Sequence, residues 1–163
     1  MASGDSLLIL GPLHNEPPAA DAATFDTRNS RPCLDFDAAT SESCVFTAIM
    51  PQHYAGSGVD VIIWWAASTD STTTHVCTWQ GQWEDWSALD LDGDSFAAAQ
   101  STGSSPNATL GIPTVTVIGF TNGAQIDNVI AGDPFRLKLT RNVSAGDDMT
   151  GDGELYAVEL QET

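Results

Sequence analysis

The run Gly58-Val-Asp-Val-Ile-Ile-Trp-Trp-Ala-Ala67 limits the folds open to this chain more than any other. It is β-branched and aromatic and has no Pro. Gly-rich and Ser/Thr-rich stretches bound it, so it predicts a strand. Neighbouring side chains in a strand point to opposite faces. Val59, Val61, Ile63 and Trp65 share one face; Asp60, Ile62, Trp64 and Ala66 share the other. Both faces are apolar toward the Trp end, whereas a strand in a two-layer sandwich buries one face only. Something else must cover Ile62 and Trp64: another piece of the same chain or a second chain.

Alternation recurs along the sequence. Pro32–Phe36, Ser43–Met50, Ile112–Phe120, Pro134–Arg141 and Glu154–Leu160 each read as a strand, with a short one at Leu7–Leu10. From His75 to Glu84 the pattern is clean, with His75, Cys77, Trp79, Gly81 and Trp83 on one face and Val76, Thr78, Gln80, Gln82 and Glu84 on the other. Asp94 is placed to cap a single helical turn over Phe96–Gln100. Ser101–Asn107 reads as a linker, and Ala124–Ala131 as a short turn or helix closed by Gly132. Residues 1–31 read as an extended N-terminal arm, because Glu16-Pro-Pro18 disfavours ladder pairing. Residues 32–163 then form one domain: all-β, an antiparallel β-sandwich of jelly-roll type. A chain of 163 residues can bury roughly 70% of its unfolded surface.

Charge narrows the partners. There are 22 acidic residues against 5 basic ones, a net charge of −17. Nucleic acid and anionic membranes need a basic footprint, so neither is expected as a partner. Met1–Leu10 lacks the basic flank and apolar length of a signal peptide or membrane span. Without an export signal, Cys33, Cys44 and Cys77 read as reduced core thiols.

Catalytic and metal-binding patterns are lacking. The sequence has no HExxH, no GxSxG and no phosphate-binding Gly loop, so no catalytic, cofactor or metal residue is assigned. His14, His53 and His75 lack ligand-like spacing, and His75 is expected to be structural. Asp90, Asp92 and Asp94 open like an EF-hand loop, but Ser95 stands where Gly belongs and Ser101 where Glu belongs. A looser calcium site there stays open. The five Trp residues invite a carbohydrate-binding reading, since flat aromatic rings stack on sugars. Trp79 and Trp83 share a face with Cys77 and are expected in the core, whereas Trp86 follows the strand and is free to be exposed.

Several segments, spread over nearly the full length, resemble tailed-phage capsid cement (decoration) proteins. They include Asn15-Glu-Pro-Pro18, Leu34-Asp-Phe-Asp37, Asp94-Ser-Phe-Ala-Ala-Ala-Gln100, Phe120-Thr-Asn-Gly-Ala-Gln125, Pro134-Phe-Arg-Leu-Lys138 and Glu154-Leu-Tyr-Ala-Val-Glu159. The resemblance implies a trimeric β-sandwich made in the host cytoplasm. It would sit on the outer capsid surface of the virion, without enzymatic activity, and stabilise the shell by bridging major capsid protein subunits. On that reading Ile62 and Trp64 form the homotrimer interface. Leu7, Leu8, Ile9, Leu10, Arg136, Lys138 and Arg141 are then the candidate capsid contacts, against the blander reading of edge-strand charges for the basic three. The rival expectation is a carbohydrate- or receptor-binding module, such as a phage tail-fibre domain.

Overall fold

The computed structural model describes residues 4–163, which form ten strands and two short 3-10 turns. The strands are β1 (Ser6–Leu10), β2 (Thr24–Arg28), β3 (Arg31–Phe36), β4 (Glu42–Ile49), β5 (Gly58–Ala67), β6 (Cys77–Asp85), β7 (Gln100–Ser104), β8 (Thr114–Thr121), β9 (Pro134–Arg141) and β10 (Gly153–Glu162). The large sheet runs β2-β3-β10-β5-β8, with β1 also pairing with β10; the small sheet runs β4-β9-β6-β7. All ladder pairings between named strands are antiparallel. From β3 to β10 the two four-stranded orders, 3-10-5-8 and 4-9-6-7, are those of a jelly roll. The expected fold class is therefore the observed one.

Alternation explains the core. Trp65, Trp79 and Trp83 are fully buried with Phe36, Phe46, Phe120 and Phe135. Phe36 meets Trp79 edge-on at 4.9 Å between ring centroids, and Trp83 packs on Phe135 at 4.7 Å. A Cβ at position 81 would lie 2.8 Å from the Phe120 ring, so Gly81 lets that ring cross β6. The three cysteines are buried and unpaired.

Four expectations need correction. Residues 4–31 do not form a separate arm: they are built into the sandwich. Leu8–Leu10 pair with Val158–Leu160, and residues 15 and 22 bridge to β4. No boundary follows residue 31, since β3 begins there and pairs with β2 throughout. The first three residues of that arm lie outside the described residues. Phe96–Gln100 is not helical: the Ala97 amide donates to the Trp83 carbonyl, and Gln82 Nε2 donates to the Ala97 carbonyl. Those two bonds hold the segment extended, and Gln100 starts β7 instead of a linker.

The fourth concerns the candidate capsid contacts. Leu7 and Leu10 are buried in the chain's own core, and Arg141 is fully buried. The Arg141 guanidinium donates to both carboxylate oxygens of Asp147 at 3.0 and 2.9 Å, and to the carbonyls of Phe36, Met149 and Gly151. Burial opposes its charge, but Asp147 outweighs burial and raises its pKa. These three residues cannot meet a partner in the folded chain. Leu8, Ile9, Arg136 and Lys138 keep some exposure.

Candidate binding groove

Strand β5 settles its own two faces. Val59, Val61, Ile63 and Trp65 are buried, and the Trp65 indole N–H donates to Thr116 Oγ1 at 2.8 Å. On the outer face Trp64 is 44% exposed and Ile62 half-buried. Register places Val117 opposite Ile62 and Val115 opposite Trp64. The result is a strip of apolar side chains on the outside of the large sheet that no part of the described chain covers.

At the Trp64 end the strip opens into a groove of about 540 Å³, lined by Arg28, Asn29, Arg31, Tyr156, Gly111 and Pro113 among others. Three local features shape it. In β10 the register with β5 shifts between Leu155 and Ala157, and the inserted residue is Tyr156. Such a bulge aims an extra side chain out of the ladder, and Tyr156 reaches the groove beside Trp64. The β2–β3 hairpin turns through Asn29 and Ser30, both at positive φ (49° and 63°), as a two-residue type I′ turn requires. The turn sets Arg28 directly opposite Arg31. Finally, Gly111 at φ 85° carries the β7–β8 loop past Arg28, where an added Cβ would lie 3.5 Å from Nη2.

Glu154 ties the groove floor together. Its Oε2 accepts from Arg28 Nη1 and from the Tyr156 hydroxyl, each at 2.7 Å. Arg28 Nη1 also donates to the Ala67 carbonyl. The hydrogen bond that Arg28 donates to Glu154 raises the Arg28 pKa against its desolvation, and burial raises that of Tyr156. Cys33, in β3 opposite Asp26, is buried, and its thiol is pushed up to about 11, first by burial and then by Glu154, Asp26 and Asp35. A thiol so raised is a poor nucleophile at neutral pH.

The other expected sites behave differently. Trp79 and Trp83 belong to the core, as their shared face implied. Trp86 is half-buried and lines a smaller groove of about 390 Å³ on the small sheet, with Glu84, Asp94 and Arg136. There Arg136 Nη1 donates to Glu84 Oε2 at 2.9 Å and to Asp94 Oδ1 at 2.6 Å. Asp94 is thus neutralised by Arg136, and Asp90 accepts from the Asp92 amide. Among the described residues no cluster of three or more His, Cys, Asp or Glu side chains could hold a metal ion. His75 Nδ1 lies 2.7 Å from Asp70 Oδ2, and this bond raises the histidine pKa. Burial disfavours the Asp70 charge, but His75 and the amides of Thr72 and Thr150 hold it far below the usual carboxylate range. No helix among the described residues is long and apolar enough to cross a membrane.

No protein-family model matches the sequence, and no curated protein matches it. Solved structures resemble it in shape. The CBM22-2 xylan-binding domain of Paenibacillus barcinonensis Xyn10C superposes with a TM-score of 0.52 at 14% identity, covering 92% of each chain. The module TmCBM61, solved with β-1,4-galactotriose, gives 0.44 at 11% identity over 96% of this chain and 88% of its own. An isomalto-dextranase of Arthrobacter globiformis T6, solved with panose, gives 0.48 at 17% identity over 86% of this chain and 20% of the enzyme. The likeness to the Paenibacillus domain is one of fold.

Proposed function

We propose that this chain is a non-catalytic carbohydrate-binding module whose ligand lies across Trp64. The carrying observation is the half-exposed Trp64 ring standing in a groove with Tyr156, Arg28 and Asn29. An aromatic face takes the C–H side of a pyranose ring, while the surrounding donors and acceptors take its hydroxyls. Glu154 and the hairpin fix Arg28 and Tyr156 before any ligand arrives, which lowers the cost of ordering them on binding. Solved domains of this fold include one described as xylan-binding, in keeping with this reading.

Isothermal titration with xylohexaose and with β-1,4-galactotriose tests it. Binding of either, weakened at least about tenfold by Trp64→Ala with an unchanged circular dichroism spectrum, is the expected result. Absence of heat with both of these sugars and with an acidic oligosaccharide, or binding indifferent to Trp64→Ala, would overturn it.

The uncovered strip of Ile62, Trp64, Val115 and Val117 favours a second reading, the one the sequence resemblance implies. In that reading a neighbouring subunit of a homotrimer covers the strip, and the trimer decorates the outer capsid surface of a phage, bound to its major capsid protein. Ile9 and Lys138 would then be among the surface groups free to touch the shell. Sedimentation velocity separates the two readings: a trimer that Trp64→Ala dissociates supports the second, and a monomer at all concentrations rejects it.

A further inference from the structure

Only five side chains in this molecule are cationic, and two of them face each other at the groove. Like charges directly opposite across a strand pair destabilise it, so the Arg28–Arg31 pair calls for an explanation. Arg28 is neutralised by Glu154 at 2.7 Å. The Arg31 guanidinium is exposed and makes no hydrogen bond or ion pair among the described residues. The other cations are engaged elsewhere: Arg136 with Glu84 and Asp94, Arg141 with Asp147, and Lys138 over the Phe96 ring. Asp26, on the same face of the hairpin, accepts from the Thr27 amide and makes no ion pair with Arg31. One free guanidinium therefore remains at the rim of the groove that holds Trp64.

We infer that the groove selects sugars bearing a carboxylate, with Arg31 as the specificity-determining residue that pairs with a uronic acid. The inference rests on the carbohydrate-binding reading and names its ligand class. Arg matches a carboxylate through two parallel N–H donors, a stronger contact than a neutral hydrogen bond. Ring stacking on Trp64 and ion pairing at Arg31 would then act on one saccharide: the ring supplies area, the guanidinium supplies sign. The chain's net negative charge does not forbid this. Salt screens beyond about 10 Å at 0.1 M, so the rim is governed by its nearest charges.

The test is a matched pair of oligosaccharides titrated against the full chain: β-1,4-galactotriose as the neutral probe and trigalacturonate as the acidic one. The acidic probe is expected to bind about tenfold tighter or better. Arg31→Gln should abolish that preference by weakening acidic binding about tenfold or more and neutral binding by much less, and Trp64→Ala should weaken both. Equal or tighter binding of the neutral probe overturns the inference and leaves the carbohydrate reading standing. Acidic preference that survives Arg31→Gln also overturns it. No binding of either probe removes both. Concentration-dependent self-association lost in Arg31→Gln would assign the free guanidinium to a carboxylate of a second copy, and would likewise overturn it.

Discussion

On the outer face of the small sheet, Arg136 is bonded to Glu84 and Asp94, and Phe96 lies under both Arg136 and Lys138. On the outer face of the large sheet, Trp64, Val115 and Val117 are each at least 40% exposed, and Arg31 has no partner among the described residues. The same sandwich thus carries one outer face that satisfies its own charges and one that does not. Buried charges are kept only where they are paired, and Glu84, at 0% exposure, is paired. Apolar side chains left in water along a strip mark a surface made for something else. On the proposed function, the difference favours the large sheet for binding and leaves the small sheet a structural role.

The largest expected effect checks that β5 divides cleanly between core and groove. Trp65→Ala removes a fully buried ring together with its hydrogen bond to the Thr116 hydroxyl. A loss of about 3–5 kcal/mol in unfolding free energy is expected, measured by urea denaturation. Next comes the small sheet. Arg136→Gln leaves the Glu84 carboxylate buried beside only the Ser95 amide. A cost of about 1–3 kcal/mol follows from an unsatisfied buried group, and oligosaccharide binding should not change. Trp64→Ala should do the reverse. Its stability change should stay within about 1 kcal/mol, while ligand affinity or self-association falls. If Arg136→Gln weakened binding and Trp64→Ala did not, the roles of the two faces would be exchanged.

Much of this division was legible in the alternation of β5, β6 and β9, because a period of two fixes which residues share a face. Trp65 and Trp64 are told apart that way, and Trp79 and Trp83 are both placed in the core. The edge strands were not. Thr24–Arg28 and Gln100–Ser104 carry little apolar signal on either face, since each pairs on one side only and has no second face to bury. The Ala-rich run after Asp94 suggested a helical turn, but bonds from Ala97 and Gln82 override that propensity. The Arg28–Arg31 pair was hidden by its turn. Asn29-Ser30 is a weaker hairpin signal than Asn-Gly, though two positive-φ residues between two Arg would have given the pairing. The burial of Arg141 could not be read at all, because it depends on carbonyls of residues 36, 149 and 151 that only the fold brings together.

The smallest effect belongs to the large sheet's outer face, at Asp35. Its carboxyl is pushed up to about 6, first by burial and then by Asp152, Glu154, Asp26 and Glu42. Oδ1 has no hydrogen-bond partner. A carboxyl whose pKa is raised on folding binds its proton more tightly in the folded state than in the unfolded chain. The resulting stability is complete below the unfolded value of about 3.9 and is lost as pH rises through about 6. Asp35→Asn has no charge to lose. It should therefore be more stable than the parent at pH 7.5, by less than about 1 kcal/mol at this partly exposed position. The gap should close between pH 6 and pH 4, a window that follows from the same raised value. Melting temperatures of the two chains across that window decide it. A gap independent of pH would mean that folding leaves the Asp35 pKa unshifted.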